Sequence, residues 1–83
     1  MNNINTVRYR VQQLYHKHPH IHLNASITKP KTVLRNQPAT ITAIYPHIFR
    51  IETQENGICR SYTLQYADVC TQKIQILELS ETL

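Results

Sequence analysis

The sequence predicts a mainly β domain behind one N-terminal helix, folded as a small five-stranded barrel or a strongly bent sheet. Three observations predict it. Apolar residues recur at helical spacing before Pro19. After Pro19 the period falls to two, over about five short runs. Asn56-Gly57 joins two of those runs in the manner of a tight hairpin. At 83 residues the chain has room for one domain over 1–83, with a helix over residues 4–16 and a barrel over 20–79.

The helix rests on Ile4, Val7, Val11, Leu14 and Tyr15, which form one apolar stripe. Asn3 is placed to cap it, and Pro19 stops it. A helix this short is marginal alone, so its stripe must dock on something. Ile21, Leu23, Ala25 and Ile27 then alternate with His20, His22, Asn24 and Ser26, the pattern of a half-buried strand. Lys29-Pro30-Lys31 makes a basic turn. A second strand region runs over residues 32–45 and is expected to bend or break at Asn36-Gln37-Pro38, because Pro38 has no N–H for a ladder.

The third strand, residues 47–53, puts Phe49 and Ile51 on one face. Both central residues of a type I′ turn need positive φ, and Asn56 with Gly57, the single glycine of the chain, meets that need. The fourth strand covers residues 58–65, with Tyr62 and Leu64 on one face. Tyr66-Ala67-Asp68-Val69 reads as a tight connection, residues 73–79 as the fifth strand, and residues 80–83 as a tail. Barrel closure would hide the edge strands that threaten an isolated sheet.

The charge is divided unevenly. Residues 1–50 hold seven Lys or Arg and no acid, whereas residues 51–83 hold two cations against five acids, within a net charge of +4. That contrast suggests an electrostatic partner. Arg8, Arg10, Lys29, Lys31 and Arg35 are the candidate contacts for a protein partner or for nucleic acid, with Tyr9 or Tyr45 as stacking platforms. Strand pattern runs unbroken through residue 50, so both halves are expected to share one barrel.

Other classes fall away. No apolar run exceeds three residues, so no membrane span is expected. Met1-Asn2-Asn3 lacks a charged region leading into an apolar one, and two cysteines do not make a disulfide scaffold, so a cytoplasmic protein is expected. One glycine cannot build a phosphate loop, and the serines and scattered acids form no catalytic pattern. His16, His18, His20 and His22 would share a side if extended, but Pro19 interrupts them, and they read as a solvated connection rather than a metal site. Cys59 and Cys70 read as small core fillers, close together if the fourth and fifth strands pair.

Three motifs occur in order: Lys31-Thr32-Val33; Tyr45-Pro46-x-x-Phe49, leading into Ile51; and Tyr66-Ala67-Asp68-Val69-x-Thr71, leading into a last aliphatic strand. Over residues 31–79 the chain resembles the Veg family, short proteins of Gram-positive bacteria. It departs where Thr28-Lys29-Pro30-Lys31 replaces the family's glycine-rich basic loop, and where Asn36-Gln37-Pro38 stands in place of a family glycine. The resemblance implies an SH3-like or Sm-like barrel, no catalytic activity, no cofactor, and a regulatory role in transcription and biofilm formation. Tyr45, Pro46, Phe49, Tyr66 and Asp68 carry over as motif residues that shape turns and core, with the Tyr66 hydroxyl and Asp68 organising the fourth connection. The expectation is therefore a non-enzymatic regulatory module that captures a protein partner such as a transcription regulator. Direct RNA or DNA binding is the alternative, and a free strand edge leaves homodimerisation open.

Overall fold

The computed structural model describes residues 3–28 and 31–80. The order is α1 (Ile4–Lys17), β1 (His20–Thr28), β2 (Lys31–Ile44), β3 (Ile48–Glu55), β4 (Ile58–Gln65), α2 (Tyr66–Cys70), β5 (Ile74–Ile76) and α3 (Leu77–Ser80). The five strands make one antiparallel sheet in the order β4-β3-β2-β1-β5.

The closed barrel is not found. β4 and β5 are the two edges of an open sheet and do not pair among the described residues. The fifth strand has only three residues, so the edge it leaves free beyond β1 is too short to offer a partner strand much of a ladder. Helices complete the burial instead. α2 links β4 to β5, and its Tyr66 and Val69 enter the core beside Val7 and Val11 of α1. The sheet contributes Ile21, Leu23, Leu34, Ile41, Phe49, Ile51, Tyr62, Leu64, Ile74 and Ile76 to that same core.

α1 starts where expected. The Asn3 side chain accepts from the Thr6 N–H at 2.9 Å, the bond that caps a helix start. Val7 and Val11 are buried and Leu14 and Tyr15 partly so, but Ile4 at the first turn is 42% exposed. The basic turn at Lys29 and Pro30 lies outside the described residues.

β2 does not break at Pro38. It runs on as one 14-residue strand, paired with β1 over 31–40 and with β3 over 39–44. The irregularity is a bulge: between the pairs Leu23↔Gln37 and Ala25↔Leu34, Asn24 alone faces Arg35 and Asn36. Asn36 takes a φ of 46°, and its N–H donates to Asn24 Oδ1 at 2.7 Å. A second bulge leaves Thr42 extra between Ile41↔Ile51 and Ala43↔Arg50, and the Thr42 hydroxyl donates to the Arg50 carbonyl.

The hairpin turn is as expected. Asn56 and Gly57 have φ of 53° and 79° between β3 and β4. Two other expectations need correction. Residues 66–70 form a short helix rather than a bare turn, and the strand expected over 73–79 stops at Ile76, after which α3 begins. No described helix is long and apolar enough to cross a membrane.

Candidate functional site

The corner between β2 and β3 is Tyr45-Pro46-His47. Its polar backbone must find partners, and each carbonyl in the corner finds one. The Tyr45 N–H donates to the Ile48 carbonyl at 2.9 Å, which closes the corner. The Tyr45 carbonyl accepts from the Tyr66 hydroxyl at 3.0 Å. The Pro46 carbonyl accepts from Arg8 Nη1 at 3.1 Å. The His47 carbonyl accepts from the Tyr66 N–H at 3.3 Å. Two residues far away in sequence thus hold three successive carbonyls.

Tyr66 is fully buried, and its ring stacks on Phe49 with centroids 5.3 Å apart. Burial pushes the Tyr66 phenol up from its ordinary value, against the smaller pull of the Tyr45 carbonyl and the Arg8 charge. The phenol therefore stays a donor well beyond neutral pH. These bonds account for Tyr45, Pro46, Phe49 and Tyr66 as one structural unit. Asp68 is half-buried; its backbone carbonyl accepts from the Thr71 hydroxyl at 3.4 Å, and its side chain makes no hydrogen bond among the described residues.

Beside this corner lies a groove of about 570 Å³. One wall is the α1 face made by Asn5, Arg8, Tyr9 and Gln12, and the other is Ile44, Tyr45 and Pro46. Helical spacing puts 5, 8, 9 and 12 on one face. Tyr9 is 62% exposed and Tyr45 46% exposed. Arg8 is pinned by Pro46 and by Asn5 Oδ1 at 2.9 Å, so its charge is fixed at the groove. No acid lines it. Two rings, a fixed cation and two carboxamides suit an extended, apolar segment that carries an acid.

The candidate cations do not converge. Arg10 donates to the Leu79 carbonyl at 3.4 Å and lines a separate groove with Lys17 and Glu78. Lys31 and Arg35 are exposed toward the other end of β2 from the corner that Arg8 holds. Lys29 lies outside the described residues.

The histidine run is divided by the helix end. His18 Nδ1 lies 3.0 Å from the His20 carbonyl, and His20 Nδ1 lies 3.1 Å from the Thr40 hydroxyl. His22 meets Glu78, whose carboxylate accepts from the His22 N–H at 2.8 Å and pairs with Nδ1 at 2.9 Å. Burial raises the Glu78 pKa, but the bonds from His22 outweigh it and hold the carboxyl below its usual range. Among the described residues no three His, Cys, Asp or Glu side chains gather as a metal set would require. Glu78 counts among the scattered acids of the sequence, and its pairing with His22 is not legible there because the two stand 56 residues apart.

Both cysteines are free thiols. Cys59 is exposed rather than a core filler, and its thiol lies 3.7 Å from a Glu52 oxygen. Desolvation and that carboxylate hold the thiol above its ordinary pKa, which makes it a poor nucleophile. The expected closeness of Cys59 and Cys70 depended on β4 pairing with β5, and those strands are opposite edges.

The chain matches a family model described as biofilm formation stimulator VEG over residues 2–77. No curated protein matches it.

Proposed function

The chain belongs to the Veg family, and from that premise we propose that it is a non-enzymatic regulatory protein that acts by capturing a protein partner. The family name points to a biofilm-related regulatory role. Control of transcription through the captured partner is the finer reading. Cytoplasmic encounter fits two free thiols, which persist in a reducing compartment.

The observation that carries the reading is the groove between α1 and the Tyr45-Pro46 corner. Exposed tyrosines beside a fixed arginine are the residue types that dominate binding energy at protein interfaces. The corner is tied at every carbonyl, so the groove is preformed and binding need not order it. The excess of positive charge in residues 1–50 would steer an acidic partner toward it.

The test is photo-crosslinking in the cells that make the protein, with a photo-reactive residue in place of Tyr9 and, as control, in place of exposed Thr63. A defined protein attached from position 9 and not from position 63 supports the reading. Identical adducts from both positions, or none from position 9, would overturn it.

A further inference from the structure

We infer that the outer face of β2, β1 and β5 binds single-stranded nucleic acid, with Arg35 and Lys73 as its phosphate contacts. This site is separate from the tyrosine groove and does not depend on it.

The register of the three strands builds the face. Ala25 pairs with Leu34 on one side and with Ile74 on the other, so the three strands share rows. Alternation turns Ala25, Leu34 and Ile74 to the core. It turns their neighbours outward. One outward row reads Arg35, Asn24, Gln75, and the next has Val33 and Ser26, with Lys73 just before β5. These residues line one open trough of about 450 Å³.

The bulge makes the trough polar. Asn24 accepts from the Asn36 N–H through Oδ1 and donates through Nδ2 to Gln75 Oε1 at 3.2 Å. One asparagine thereby ties both neighbouring strands and sets a row of carboxamides across the face. Gln72, with a φ of 67°, adds another at the α2–β5 turn. Carboxamides both donate and accept, as base edges require.

The charge has one sign. No carboxylate lines the trough, and neither Arg35 nor Lys73 has an acidic partner among the described residues. Two strand spacings across and two residues along place their backbones about 12 Å apart. Long side chains reaching inward from that separation can meet phosphates spaced along one strand. The trough is open and far larger than one phosphate group, and its cations stand on opposite sides of it, so it fits a polymer better than a free anion. No aromatic ring lines it among the described residues, so binding would rest on phosphate charge and be strongly salt-dependent.

The test is titration of fluorescent single-stranded RNA and DNA oligonucleotides with the full chain at several salt concentrations. The comparison is Arg35→Gln/Lys73→Gln, with Arg50→Gln/Arg60→Gln as a control of equal charge loss. All four positions are exposed, and circular dichroism checks that each variant folds. Two lost contacts on a single strand should lower the slope of log affinity against log salt by about 1.4. Affinity at low salt should fall at least about tenfold, well beyond the control. No binding by the unaltered chain at low salt overturns the inference, and so does an equal loss in the two double variants.

Discussion

Replacing Tyr66 with phenylalanine removes one oxygen from the centre of the corner that shapes the groove. The ring should remain stacked on Phe49, because the variant keeps its size and shape. What is lost is the 3.0 Å bond to the Tyr45 carbonyl, in a partly buried setting. If water replaced the hydroxyl freely, the cost would be about 0.5–1.5 kcal/mol; a carbonyl left without a donor costs about 1–3 kcal/mol. Tyr66 has no exposed surface, so water has poor access and the expected loss is about 1–2 kcal/mol. In a domain of this size that lowers Tm by roughly 4–16 °C. The assay is urea unfolding of both proteins, with the midpoint shifted and the slope unchanged. Tyr66→Leu should cost more, because it also removes the ring contact, worth about 0.5–1.5 kcal/mol beyond area. An unshifted midpoint in Tyr66→Phe would refute the corner's dependence on that hydroxyl. Raised pH supplies a second check. The Tyr66 phenol titrates higher folded than unfolded, so its stabilisation is complete below the unfolded value near 10 and is lost as pH rises above it. Tyr66→Phe should lack that part of the alkaline loss.

Two further substitutions probe the frame. Gly57→Ala should cost about 1–2 kcal/mol from positive φ alone, since no atom beyond the adjoining residues lies within 4 Å of the added carbon; thermal melting that shows no loss would refute the turn assignment. The Glu78 carboxyl sits below its ordinary range, so its stabilisation is present above the unfolded value near 4.3 and is lost as pH falls through the folded one. Acid unfolding of Glu78→Gln should therefore show a shallower pH dependence than the unaltered chain, and an equal slope would argue against the His22 latch.

What was legible in the sequence was what neighbours in the chain decide. Asn3 caps its own helix, Pro19 ends it, and Asn56-Gly57 turns its own hairpin. The alternation in β1 and β3 also marked the buried face, because period two is a local property. Closure of the sheet is not local. The same alternating strands serve a barrel or an open sheet, and the difference lies in whether two edges meet. Residues 73–79 show why the last strand was overextended: Ile74, Ile76 and Leu79 suit either period, while the Glu78 contact with His22 accompanies a helical turn. The motif residues were visible as a pattern, but not their bonding. Arg8 meets Pro46 across 38 positions and Tyr66 meets Tyr45 across 21. Arg8 therefore read as a free contact, when it is held in place and lends the groove a fixed charge. The missing N–H of Pro38 predicts a bend or a break in this stretch, and the irregularity that forms there is a bulge rather than a break. The bulge at Arg35 and Asn36 absorbs the irregularity, and the strand continues past it.

On the proposed function, the regulatory role depends on the tyrosine groove. The most direct measurement is biofilm mass formed by cells in which the chain is replaced by Tyr9→Ala/Tyr45→Ala. Neither side chain enters the corner's hydrogen bonds, which use the Tyr45 backbone, so this variant should fold and accumulate normally. Biofilm should fall to the level of cells lacking the protein. Full biofilm formation with the double variant present at normal abundance would contradict it.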